Sequence, residues 1–300
     1  MFVDLKGKTR IKLSLHTPMQ KRNAEEVLKD CLDHGFDAVA LTAPWEYKDS
    51  CNVDGIKVLS GCEYSVGELS EEYEAFHIIG IGMTSDPEVP IAWKDMKKTA
   101  KQKASEIVKM IKKRNGIAIL CYPAHNANTA ETLLDIGEFD GIEIFNSETE
   151  YGFSAIGYAG ETVDKLALFG HRQILVASNG ETPYEGEEFK CAVMVEATDM
   201  DTDHIIRALR QGRFYSTEGP ELHLERIGAD KVKLTCSPVV KIEFFSDAVR
   251  DFSDKIIEGD NLIETEYSIK NGEKYVRAEI TDENGFKAWS NIVSFDELYR

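Results

Sequence analysis

The sequence lacks any run of eighteen apolar residues, so no helix of it can span a bilayer. Its opening stretch MFVDLKGKTRIKLSLH has no apolar core of a secretory signal, and a cytoplasmic protein is expected. Cysteine is sparse. The six residues at 31, 51, 62, 121, 191 and 236 contain no CxxC pair, which argues against a disulfide framework and against thiolate-bound structural zinc. Cys31, Cys62, Cys121 and Cys191 lie in or beside apolar runs, where a reduced cysteine behaves as a small hydrophobe. The phosphate-cradling GxxxxGK[ST], a helix-opening GxGxxG and the nucleophile elbow GxSxG are all absent. Bound ATP or NAD and a serine-hydrolase centre thereby lose their usual signatures.

Positive charge is also short: 35 Lys and Arg face 53 Asp and Glu, a formal net charge of −18. Such a field repels a phosphate backbone unless a local patch overrides it. The one basic cluster, between Lys97 and Arg114, flanks an apolar stripe of Ala100, Ala104, Ile107, Val108 and Ile111. That spacing belongs to the solvated face of an amphipathic helix, so neither nucleic acid nor a membrane is an expected partner.

What is present is a rhythm of short apolar runs and helical patterns up to about residue 218. Alternating Ile11, Leu13 and Leu15 predict a strand ending at His16. Asn23, with Glu26 three residues on, predicts a helix start, and Gly35 its stop. Apolar runs follow at 37–42, 56–60, 76–81, 117–121, 141–145, 173–177 and 191–195, with a long helix from about Met96 to Arg114. Continuous apolar strands separated by helices imply a largely parallel sheet covered on both faces, and about seven repeats favour a barrel. After Pro220 the pattern turns β-rich, with runs at 222–227, 231–236, 239–245, 262–269, 274–281 and 286–294. Asn271-Gly272 and Asn284-Gly285 are hairpin signals. The expected division is an α/β domain over 1–218 and a small antiparallel β-sandwich over 219–300. Trp289 or Tyr275, if exposed, would mark a binding face of the second part; packing in its core is the default.

Functional groups of a parallel barrel project from the C-terminal strand ends. His16, Glu63 and His77 fall there and make a candidate set for one zinc, manganese or iron ion. The alternative is a histidine hydrogen-bonded to a carboxylate at a solvated strand mouth, with no metal.

Several elements together resemble the PHP superfamily of metal-dependent phosphoesterases and polymerase-associated domains. They are Lys12-Leu-Ser-Leu-His-Thr17, Gly35-Phe-Asp-Ala-Val-Ala-Leu-Thr-Ala-Pro44, Gly61-Cys-Glu-Tyr-Ser65 and His77-Ile-Ile-Gly-Ile81. Gly116-Ile-Ala-Ile-Leu-Cys-Tyr-Pro123, Asp140-Gly-Ile-Glu-Ile-Phe-Asn146 and Ala177-Ser-Asn-Gly-Glu181 continue the likeness. The resemblance implies a distorted (β/α)7 TIM-like barrel and a multinuclear metal centre.

Matched position by position, only His16, Glu63 and His77 keep family ligand types. Ser14 and Tyr122 stand where the family has histidine, Ala43-Pro44 replaces an Asp-His pair, and Asn179 and Glu181 replace the closing Asp and His. Asn for Asp removes a charge, and Ala-Pro supplies no side-chain ligand. Two expectations result. In one, the phosphoesterase chemistry is lost or altered, and the scaffold binds a ligand or a protein without turnover. In the other, a mononuclear hydrolase keeps one cation at His16, Glu63 and His77, with Glu181 or His125 as acid or base and a small anionic substrate. Ser14, Tyr122, Asn146 and Asn179 would line the pocket in either case.

Overall fold

The computed structural model describes residues 1–17, 19, 23–53, 55–67, 74–88, 98–180, 189–248, 255–270 and 272–295. In chain order the first elements are β1 (Phe2–Val3), β2 (Thr9–Thr17), α1 (Ala24–Asp33), β3 (Ala38–Leu41), β4 (Cys51–Val53), β5 (Ile56–Leu59), β6 (Gly61–Val66) and β7 (Phe76–Ile81). The middle of the chain forms α2 (Ala100–Lys113), β8 (Ile117–Cys121), α3 (Ala130–Leu134), β9 (Gly141–Asn146), a π-helical segment (Glu148–Ser154), α4 (Gly160–Leu168) and β10 (Ile174–Ser178). Then come β11 (Ala192–Glu196), α5 (Thr202–Arg210), β12 (Phe214–Thr217), β13 (Leu222–Arg226) and β14 (Lys231–Ser246). The chain closes with β15 (Ile256–Ser268), β16 (Tyr275–Thr281), β17 (Lys287–Ser290) and β18 (Val293–Ser294).

The local signals act as their chemistry demands. Asn23 accepts from the Glu26 amide while the Glu26 side chain reaches back, which is a full capping box at the start of α1. Thr99 and Gln102 do the same for α2, which begins at Ala100; Met96 lies outside the described residues. Asn284-Gly285 turns β16 into β17, with Gly285 at φ +86°. Asn271 is not among the described residues, although Gly272 beside it has φ +94°.

Among the described residues the expected closed barrel does not form. They are 42% strand against 21% helix, in two mixed sheets. The smaller sheet runs β10-β9-β8-β7-β6, parallel from β10 to β8 and antiparallel from β8 to β6. In the larger, thirteen-stranded sheet, β2 pairs in parallel with β3, and β3 with β5, while β11 joins β2 antiparallel. The error in the parallel expectation has a specific cause. Helix α2 joins β7 to β8, and α5 joins β11 to β12, yet both strand pairs are antiparallel neighbours. A helix between strands therefore does not fix strand direction. Nor does a continuous apolar run, because antiparallel strands covered on both faces, as β7 and β8 are, read the same way.

The C-terminal strands do not stand apart as a sandwich. β17 pairs with β12, so the larger sheet runs on through β16 to β14 and β13. Val232, Ile242 and Ala278 share a core with Val27, Leu28 and Val58. The predicted runs at 231–236 and 239–245 are one long strand, β14, whose pairing with β15 shifts register between Thr235 and Val239. Trp289 and Tyr275 are both buried, the former stacked on Phe145 with ring centroids 4.9 Å apart.

Candidate functional site

His16 lies near the end of β2 with none of its surface exposed. Two strand irregularities set its surroundings. Between Ser14 and Thr17 the pairing of β2 with β3 advances three residues against two, and between Glu143 and Phe145 the pairing of β9 with β10 skips Ile144. An extra residue reverses the alternation of side chains, which brings Asn146 to the face that carries Glu143. Such bulges re-aim side chains where a strand must present polar groups.

Around His16 the polar groups form a continuous chain. Its Nδ1 donates to Glu143 Oε1 at 2.7 Å, and its Nε2 faces Glu63 Oε2 at 3.3 Å. The other Glu63 oxygen lies 3.4 Å from His77 Nδ1. Glu143 also accepts from Ser178 Oγ at 2.6 Å, the Tyr122 amide at 2.9 Å and Asn146 Nδ2 at 3.3 Å. Asn146 Nδ2 in turn donates to Ser178 Oγ.

The charges follow from this geometry. Burial alone would raise Glu63, but His16 and His77 bring it down to about 2. Glu143 is likewise lowered against its burial by His16, Ser178 and the Tyr122 amide. Burial works against a charge on His16, yet Cys121, Glu143 and Glu63 outweigh it and hold the imidazole well above its ordinary value. The carboxylates carry that effect, because burial pushes the Cys121 thiol up and keeps it neutral. The result is an imidazolium held between two carboxylates, a closed and internally compensated set.

Tyr122 completes the enclosure. Its ring packs against His16 at 5.1 Å and edge-on against His77 at 5.3 Å, and the side chain is buried. Its backbone is left-handed, with φ +53°, just ahead of Pro123.

The other candidates separate. Ser14 Oγ pairs with Thr17 Oγ1 at 2.8 Å. Asn179 is committed to the backbone of Cys191, donating to its carbonyl and accepting from its amide. His125 is exposed, its ring 6.4 Å from that of Tyr122. Glu181 lies outside the described residues. Cys62 is buried and its thiol is pushed up to about 12, which argues against a reactive nucleophile there.

Glu143, Cys121 and Ser178 were not among the expected site residues. Glu143 did carry a signal: a carboxylate inside the buried run Gly141–Asn146 must find a partner. Cys121 carried none, since its neighbours Ile117 to Leu120 are what a core cysteine has. His16, Cys121 and Glu143 offer ligand atoms that all lie within 4.8 Å of one another, a group that could hold a metal ion.

No family model matches the chain, and no curated protein matches it either. The likeness to PHP proteins accordingly rests on the motif residues alone.

Proposed function

We propose that this chain is a PHP-related protein that has lost phosphoester hydrolysis and uses its scaffold for binding without turnover. The observation that carries the reading is Tyr122, whose ring covers His16 and His77 where the family pattern has a metal-binding histidine. Both nitrogens of His16 already face carboxylates, and His16, Glu63 and Cys121 expose 1% or less of their surface. A metal-activated water needs an open coordination position next to the substrate, and the burial of His16, Glu63 and Cys121 among the described residues speaks against one on their side. Three lysines in and just before α2, engaged by carboxylates, favour a reading without a nucleic-acid partner. Lys98 pairs with Glu106, Lys101 with Glu74 and Asp135, and Lys112 with Asp140. A reducing cytoplasmic compartment fits six free cysteines.

A second reading, a mononuclear hydrolase acting on a small anionic substrate, draws support from one spacing. The two Glu63 oxygens stand 3.3 and 3.4 Å from His16 Nε2 and His77 Nδ1. Such separations suit neighbouring ligands of one zinc, manganese or iron ion bound at about 2.0–2.2 Å. An aryl phosphate assay with each of these ions decides between the two. The expected outcome is no turnover above buffer; turnover that disappears in Glu63→Gln would overturn the non-catalytic reading.

A further inference from the structure

We propose that His16, Cys121 and Glu143 form a buried structural site for one thiophilic divalent cation of the zinc and cadmium class. The proposal is independent of whether the protein hydrolyses anything, and it places the cation on the Cys121 side of His16 rather than between Glu63 and His77.

The three donors come from different strands, β2, β8 and β9, so the sheet fold itself brings them together. None exposes more than 1% of its surface, and their ligand atoms lie within 4.8 Å of one another. Tetrahedral bonds of about 2.0–2.3 Å place donors roughly 3.3–3.7 Å apart, within reach of small side-chain adjustments. The donor chemistry selects the ion. A sulfur, an imidazole nitrogen and one carboxylate suit borderline-soft zinc or cadmium, whereas magnesium, calcium and manganese favour oxygen. A thiolate and a carboxylate also balance a doubly charged ion, and in a buried site that neutrality is what permits binding.

Binding displaces two protons, the one that His16 Nδ1 donates to Glu143 and the one on the Cys121 thiol, and leaves a neutral imidazole and a thiolate as ligands. His16 Nδ1 faces the group, lying 2.7 Å from Glu143 Oε1, and Nε2 faces Glu63 at 3.3 Å. A carboxylate on the far nitrogen is the usual partner that orients a metal-bound imidazole. Glu143 Oε2 is fixed by the Tyr122 amide and Asn146 Nδ2, while Oε1, which accepts from His16 Nδ1 at 2.7 Å and from Ser178 Oγ at 2.6 Å, is the oxygen that exchanges the His16 proton for the cation. Glu63 is thus a positioning residue here. A site this enclosed takes its ion as the chain folds.

The test is refolding of the full chain from denaturant, after chelator treatment, in the presence of cadmium. The expected result is one cadmium per chain by elemental analysis, with an ultraviolet sulfur-to-cadmium charge-transfer band. Cys121→Ser should lose the band, and Cys51→Ser, at the exposed cysteine, should keep it. Glu63→Gln should keep the band with affinity about 10–100-fold weaker. Cadmium-113 NMR of the unsubstituted protein reads sulfur coordination without any variant, should Cys121→Ser fail to refold. No uptake, or uptake with oxygen and nitrogen ligands alone, overturns the proposal. The aryl phosphate assay is unaffected by either result, so the two proposals fail separately.

Discussion

Replacing His16 by glutamine would remove the imidazolium that lies between two buried carboxylates, Glu63 and Glu143. In the native network Glu63 is held at about 2, against 4.5 for an unburied glutamate. That difference is worth about 3 kcal/mol of stability at neutral pH. Glu143 is lowered in the same direction by the same imidazole, 2.7 Å away. A neutral amide can donate hydrogen bonds through its NH2 group but cannot offset a charge. The variant should therefore lose about 3–5 kcal/mol near pH 7.5, the usual effect of stripping one partner from a buried ion pair.

The pH profile should change sign as well. In the native protein, the depressed carboxylates contribute stability above their unfolded value that is lost as pH falls through their folded values. The raised His16 contributes stability below 6.5 that is lost as pH rises through its own folded value. In His16→Gln His77 still opposes burial at Glu63, but only neutral donors oppose it at Glu143, so burial raises Glu143, and stability should fall with rising pH by up to about 1.4 kcal/mol per pH unit as its proton is released. Urea unfolding at several pH values, with chelator present so that no cation replaces the imidazole, reads both effects. A loss below about 1 kcal/mol with no change in pH slope would refute an ionic network at His16.

A second histidine should act in the opposite sense. Arg10 Nη2 donates to His223 Nδ1 at 3.2 Å, which requires that nitrogen unprotonated, and burial and Arg10 lower the His223 value. Its contribution should be present above pH 6.5 and be lost as pH falls through the lowered value, and His223→Gln should flatten that acid limb in a urea series. Arg277 holds both oxygens of Asp164 at 2.7 Å and also pairs with Glu279. Arg277→Met should lower unfolding free energy by about 3–5 kcal/mol, mostly by leaving Glu279 buried without its cation. Asn23→Ala, which removes one half of a capping box on α1, should cost about 1 kcal/mol by the same measurement.

The helix starts were legible because capping is local. Asn23 with Glu26, and the glycines at 35 and 285, state their roles within a few residues. Sheet direction was not legible, since α2 and α5 each bridge antiparallel neighbours and no residue within a strand records which way its neighbour runs. The site was half legible. His16, Glu63 and His77 were expected at C-terminal strand ends; only His16 lies near such an end, Glu63 sits inside β6 and His77 near the start of β7, and the structure joins the three through Glu63. Glu143 stood in plain view inside a buried run, but a bulge at Ile144 decides which groups it meets, and bulges leave little trace in apolar spacing. Tyr122 as a cover over His16 and His77 was not legible, because its left-handed backbone depends on the fold around it.

The pairing of β12 with β17 has a consequence for synthesis. Tyr215, Ser216 and Thr217 find their partners Ser290, Trp289 and Ala288 only after some seventy further residues have been made. At about 5–20 residues per second, that interval is roughly 4–14 s. Through it, the nascent chain carries a buried-type strand with one side unfilled, open to pairing with any other extended segment. A chaperone that shields this strand, or a ribosome that pauses late, would govern yield more than any property of the finished molecule. Shortening the protein after residue 218 would make the open edge permanent.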